Sequence, residues 1–162
     1  MMALVQEGSA VLYVGGALSM EVLLRYAQRS LPGSQTAVTC QVSGRLWKRW
    51  AQGALVLWGL STLGLGVTGR YEGDRLQITM ALAAFAIIWL ALSGVLATLS
   101  LVAHPALAKR LEPGASEEKK AEWRLELRRA IRRMDRLLRV ELSLALALAF
   151  VTAFLVASSE QP

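Results

Sequence analysis

The sequence predicts an all-α polytopic membrane protein: a bundle of four transmembrane helices in which a cytoplasmic helical stem extends the fourth span. Hydrophobic residues make up 54% of the 162 residues and charged residues 19%, whereas soluble domains average about 45–50% and about 25%. Residues 50–69, 76–108 and 142–159 contain no Asp, Glu, Lys or Arg. Uncharged stretches of about 18 residues or more are typical of membrane spans. This pattern excludes a water-soluble enzyme and a disordered chain, and a lone Cys40 excludes a disulfide scaffold.

The basic residues predict how the chain sits in the membrane. Sixteen of the 18 Lys and Arg residues lie from Arg25 to Arg49 or from Lys109 to Arg139, around the two connections on one side of the membrane, and only Arg70 and Arg75 lie between spans 2 and 3. Positively charged loops stay in the cytoplasm. We therefore expect a multi-pass protein of the bacterial cytoplasmic (inner) membrane with both termini outside. The excess of Lys and Arg that gives the basic pI of about 10.1 is then explained by cytoplasmic loops next to the lipid bilayer. No nucleic-acid partner is expected.

The first two spans are predicted at residues 3–26 and 50–68. Glu21 and Arg25 lie four residues apart in the first span, a spacing that allows an ion pair on a helix. Pro32-Gly33 should end this helix. The polar segment 35–49 should then continue into span 2, with Trp47 and Trp50 at the membrane–water boundary.

The third span is predicted at residues 76–103 and the fourth at 139–157. The short loop between spans 2 and 3 predicts an antiparallel hairpin. Ser116 followed by two glutamates is a strong helix start. Because no Gly or Pro follows until Pro162, one helix should run from the cytoplasmic stem, residues 117–138, through span 4.

The stem carries an apolar stripe at helical spacing, formed by Trp123, Leu127, Ala130, Met134 and Leu137. Three surfaces could cover this stripe: segment 35–49, the membrane surface or another subunit. We expect it to dock on another subunit. The arginines on the other faces of the stem are read either as solvated charge near anionic lipids or as a contact for an acidic partner.

Few residues in the chain suggest chemistry. There is no phosphate-binding glycine loop and no local arrangement of a nucleophile with a His. His104 is the only His, so it can supply one ligand at most, and no metal site is expected. Ionisable side chains in spans are functional candidates because burying them is costly. These residues predict a polar cluster at the inner leaflet, formed by Glu21, Arg25, His104, Arg139 and Glu141; alternatively, they are boundary residues that pair or reach water.

The segment Val11-Leu-Tyr-Val-Gly-Gly-Ala-Leu-Ser resembles the first helix of a family of small bacterial four-span membrane proteins. This family is akin to the membrane domain of copper-resistance protein D and, more distantly, to HemJ-type protoporphyrinogen oxidase. Ala103-His104-Pro105-Ala106 and Leu138-Arg139-Val140-Glu141 extend the resemblance. It implies a four-helix bundle that binds copper or haem b, with His104 and Glu141 as cofactor-binding residues. Gln6 stands where the family carries its first-helix His, which predicts absent or weak haem binding.

These observations favour a non-catalytic integral membrane subunit or accessory protein that docks on a larger membrane complex or forms a homo-oligomer. No catalytic residue and no cofactor are predicted. The alternatives are a haem-binding membrane oxidoreductase and a copper or small-solute transport protein.

Overall fold

The computed structural model describes residues 2–71, 74–103, 107 and 116–158. The chain forms four long helices: α1 (Met2–Ser30), α2 (Gly33–Val67), α3 (Arg75–Thr98) and α4 (Glu117–Ser158). A π-helical segment, Leu99–Ala103, continues α3. Throughout these described ranges the chain contains no strand. The all-α prediction is therefore confirmed.

All four helices are long and apolar enough to cross a membrane. Many large apolar side chains on the surface of the bundle are exposed, among them Val11, Leu60, Ile87 and Phe150. In water these side chains would be costly to expose, whereas lipid tails solvate them. The chain is a multi-pass membrane protein, and its surroundings are a lipid bilayer.

The helices form an up-and-down bundle. Helices α1 and α3 each pack against both α2 and α4, and the short connections from α1 to α2 and from α2 to α3 make each of these pairs antiparallel. The predicted break at Pro32-Gly33 is confirmed: α1 ends at Ser30 and α2 begins at Gly33. Gly69 has a φ of 65°, a left-handed conformation that glycine adopts without strain, and it turns the chain after α2.

The start of α4 is also as predicted. The helix begins at Glu117, and the Ser116 hydroxyl accepts a hydrogen bond from the Lys119 backbone N–H at 3.4 Å. Its 42 residues correspond to a length of about 63 Å. Because only about 30 Å is needed to cross the hydrocarbon, α4 is longer than a membrane span requires.

The interior is divided into two apolar clusters. The first, which we call the membrane core, contains Tyr13, Ala51, Leu55, Trp58, Phe85, Leu92, Leu96, Ala145 and Leu148. The second, which we call the stem core, contains Met20, Leu24, Ala37, Cys40, Leu99, Leu107, Leu127, Ala130, Met134 and Leu138. Helix α4 contributes to both.

The stem core shows what covers the apolar stripe of α4. Leu127, Ala130 and Met134 are buried against Met20 of α1 and Cys40 of α2. The prediction that another subunit covers the stripe is therefore wrong for these three residues. The reason is that α1 and α2 also extend beyond the apolar segments, so segment 35–49 lies beside the stem.

The edges of the predicted stripe differ from its centre. Trp123 and Leu137 are only half-buried, and both pack against the stem core. Leu138, one residue further on, is buried at this end of the stripe. Consecutive residues of an α-helix point about 100° apart. Because only this one position of the stripe differs, the buried face of α4 is rotated slightly from the predicted one.

Candidate functional site

Three of the polar side chains on the buried face of α1 bond to polar groups of other helices, and they lie at nearly equal intervals. Gln6, Tyr13 and Glu21 are all buried. The intervals of seven and eight residues correspond to rises of about 10 and 12 Å along the helix. Each side chain meets polar groups from elsewhere in the bundle, and we call the three resulting sets the Gln6, Glu141 and Glu21 layers.

The Gln6 layer lies where α1 approaches the turn between α2 and α3. The Gln6 amide nitrogen donates to Thr62 Oγ1 and to the Tyr71 hydroxyl, both at 3.0 Å. Tyr71 in turn donates to the Thr62 carbonyl at 3.4 Å. Burial raises the pKa of the Tyr71 phenol above its usual value of 10.0, and the Gln6 hydrogen bond offsets part of this rise. The phenol is therefore neutral at neutral pH.

The Glu141 layer places a carboxyl group in the centre of the bundle. Glu141 is 0% exposed. Its Oε1 accepts hydrogen bonds from the Tyr13 hydroxyl at 2.8 Å and from the Trp47 indole N–H at 3.3 Å. Within the described part of the chain, its Oε2 has no hydrogen-bond partner and neither oxygen forms an ion pair.

Aromatic rings surround this carboxyl group. The Tyr13 ring lies 5.5 Å from the Trp47 ring and 6.2 Å from the Trp58 ring, measured between centroids. Trp58 is itself fully buried, and its indole N–H donates to Thr152 Oγ1 at 3.1 Å. The rings exclude water from Glu141 and present only two donors to it.

A glycine makes this arrangement possible. A Cβ atom at Gly16 would lie 1.9 Å from the Trp47 ring, far inside van der Waals contact. Only glycine at this position lets the indole pack against the α1 backbone and reach Glu141.

The Glu21 layer is an ion-pair cluster about two turns of α1 beyond Tyr13. Glu21 Oε1 lies 2.6 Å from Arg25 Nη2 and 3.9 Å from Arg139 Nε. Arg139 also pairs with Asp135 at 2.6 Å. Both arginines are more than half exposed, so solvent screens these pairs and each stabilises the fold only modestly.

The predicted inner-leaflet cluster is thus only partly formed. Glu21, Arg25 and Arg139 come together as expected. No hydrogen bond or ion pair between described residues joins Glu141 to them; its partners are Tyr13 and Trp47. The reason is that Arg139 and Glu141 are two residues apart and point to different faces of α4. His104 lies outside the described residues.

Sequence reasoning missed the aromatic partners of Glu141. The sequence predicts that Trp47 and Trp50 both lie at the membrane–water boundary. Trp50 is exposed, whereas Trp47 is half-buried and bonds to Glu141 in the interior. The spacing of Gln6, Tyr13 and Glu21 was the available signal, because it places all three on one helix face.

Among the residues that the structure describes, no group of three or more His, Cys, Asp or Glu side chains is placed to hold a metal ion. No family model, curated protein or solved structure matches the chain. Its functional interpretation therefore depends on the geometry of the three layers.

Proposed function

We propose that the chain is a non-catalytic integral membrane subunit in which Glu141 takes up and releases a proton inside the bilayer. One observation carries this proposal: a carboxyl group, fully buried in an apolar span, has two hydrogen-bond donors on one oxygen and no basic partner among the described residues. A carboxylate held in this way would be costly inside a membrane. The protonated acid avoids that cost, and Tyr13 and Trp47 stabilise the anion while it exists.

The neighbouring layers support a proton-handling role. Gln6, Tyr13 and Glu21 place polar groups along one face of α1, on both sides of Glu141. Chains of such groups inside membrane bundles are typical of proton relays. Glu21 differs from Glu141 because two arginines, Arg25 and Arg139, approach its carboxylate.

Infrared spectroscopy tests this proposal directly. We expect the purified chain to show the carbonyl stretching band of a protonated carboxylic acid, and this band should shift in D₂O as the proton exchanges. The band should be absent in Glu141→Gln, which keeps an oxygen acceptor for Tyr13 and Trp47 and should remain folded. It should persist in the matched control Glu21→Gln.

Two results would contradict the proposal. The first is a wild-type spectrum without the band, because Glu141 would then be ionised. The second is a band that does not shift in D₂O, because Glu141 would then be a structural acid that anchors the two aromatic side chains without exchanging its proton.

We further propose the orientation and location indicated by the basic residues: a bacterial inner membrane, with both termini outside. Cys40 is buried, so its failure to react with a thiol reagent would not report its side of the membrane. In a Cys40→Ala background, a membrane-impermeant maleimide applied to intact cells should label Arg75→Cys and not Ser34→Cys, since both positions are exposed. Labelling of Ser34→Cys alone would reverse the topology.

We also propose that haem is absent or weakly bound. Gln6, which replaces the His expected from the family resemblance, uses both amide hydrogens to hold Thr62 and Tyr71. The purified chain should therefore lack a stoichiometric Soret band. A band that disappears in His104→Ala would favour a haem-binding oxidoreductase instead.

The proposed subunit would dock through the arginines of its stem. Because the α4 stripe is covered inside the chain, the exposed arginines of the stem are the surface that remains for an acidic partner or anionic lipid: Arg124, Arg128, Arg129, Arg132, Arg133 and Arg136.

A further inference from the structure

A cavity of about 550 Å³ opens beside the Gln6 layer, at the end of the bundle where α2 turns into α3. Its volume lies within the usual range of about 300–1,000 Å³ for small-molecule sites. Leu65 and Val156 supply apolar walls, and Thr68, Arg70 and Tyr71 supply polar ones. The cavity does not include Glu141.

Gln6, one of the residues that line the cavity, has an unused acceptor. It is 0% exposed, and its amide nitrogen donates to Thr62 and Tyr71. Because the Tyr71 hydroxyl donates its own proton to the Thr62 carbonyl, it is the amide nitrogen of Gln6 that faces Tyr71. The Gln6 carbonyl oxygen, Oε1, is buried and has no hydrogen-bond partner in the described structure. Buried amide oxygens normally accept a hydrogen bond. A ligand in the cavity would therefore supply a hydrogen-bond donor to Gln6 Oε1.

Another lining residue carries a positive charge. Arg70 lines the cavity and is exposed. A guanidinium presents parallel N–H donors that match a carboxylate in a two-point contact. The lining of the cavity therefore combines a cation, a residue with an unpaired acceptor and apolar side chains.

We infer that this cavity binds a small organic carboxylate that also carries a hydroxyl or amide donor. The carboxylate pairs with Arg70, the donor reaches Gln6 Oε1, and the apolar body of the molecule lies against Leu65 and Val156. This inference does not depend on the role proposed for Glu141, because the two groups belong to different layers.

The test uses 4-hydroxybenzoate as the probe and isothermal titration calorimetry on the full chain in lipid nanodiscs. We expect saturable binding of 4-hydroxybenzoate. Benzoate, which lacks the hydroxyl donor, and 4-hydroxybenzyl alcohol, which lacks the carboxylate, should each bind at least tenfold more weakly. Because these comparisons change the ligand and not the protein, folding does not affect them.

Two arginine variants complete the test. Arg70→Gln should weaken 4-hydroxybenzoate binding at least tenfold, whereas Arg75→Gln, an exposed arginine that does not line the cavity, should leave it unchanged. The inference is overturned by the absence of saturable binding at millimolar probe, by equal binding of benzoate, or by equal loss in both variants. In the last case the arginines would act only through net charge.

Discussion

Replacing both Leu127 and Met134 by aspartate is expected to unfold the stem core and to lower stability by more than about 3 kcal/mol. Met134 is 1% exposed and Leu127 is 6% exposed. Both lie in the stem core among apolar side chains from α1 and α2, so the new carboxylates would lose their water and gain only apolar neighbours in its place. Thermal unfolding of the purified chain in mild detergent, followed by circular dichroism, measures the loss.

Leu125→Asp is the matched control for this experiment. Leu125 lies on the same helix and is 46% exposed, so its replacement should change stability by less than about 0.5 kcal/mol. If the double variant were as stable as the wild type but no longer recovered a co-purifying protein, the stripe would be a docking surface and the packing described for the stem core would be wrong.

The second large effect is expected at Gly16. Alanine there would place its Cβ 1.9 Å from the Trp47 ring, so the indole must move away from α1 and from Glu141. We expect Gly16→Ala to destabilise the protein by about 1–3 kcal/mol, the usual range for overpacking a core. Thermal unfolding in detergent measures this loss as well.

Gly15 provides an unusually close control. No atom lies within 4 Å of a Cβ built at Gly15, so Gly15→Ala should be neutral or should stabilise α1 by up to about 1 kcal/mol through helix propensity. In a double-mutant cycle, Trp47→Phe should reduce the cost of Gly16→Ala, because the smaller ring makes room for the methyl group. Equal costs in the two backgrounds would show that Trp47 is not what restricts residue 16.

The helices and their ends were largely predictable because the signals are local. Uncharged stretches, the Pro32-Gly33 break and the Ser116 helix start act over a few residues. The Glu21–Arg25 pair was predictable for the same reason, since a helix places these side chains together whatever surrounds it.

The partners of Glu141 were not predictable in this way. Tyr13 is 128 residues away in sequence and Trp47 is 94 residues away, so their contacts depend on how the four helices pack. A Trp beside Lys48 and Arg49 fits the membrane boundary equally well. The inward orientation of Trp47 depends on contacts that exist only in the folded bundle, with Gly16, the Tyr13 ring and Glu141.

The stripe of α4 illustrates the same limit. The sequence shows that the stripe is apolar. Which residues bury it depends on how far α1 and α2 extend beyond their apolar segments, and no local pattern gives that length. Segment 35–49 was one of three candidate surfaces, and the structure places Ala37 and Cys40 there in the stem core.

The unbroken course of α4 has a mechanical consequence. Glu117–Ser158 contains neither Gly nor Pro, so the helix has no hinge residue between Met134 in the stem core and Glu141, which bonds to Tyr13 of the membrane core. The two residues are seven positions apart on one rigid rod, about 10 Å along its axis. Because the helix moves as one body, a tilt or rotation of the stem would also move Glu141. The distances from the Glu141 carboxyl group to Tyr13 and Trp47 would then change.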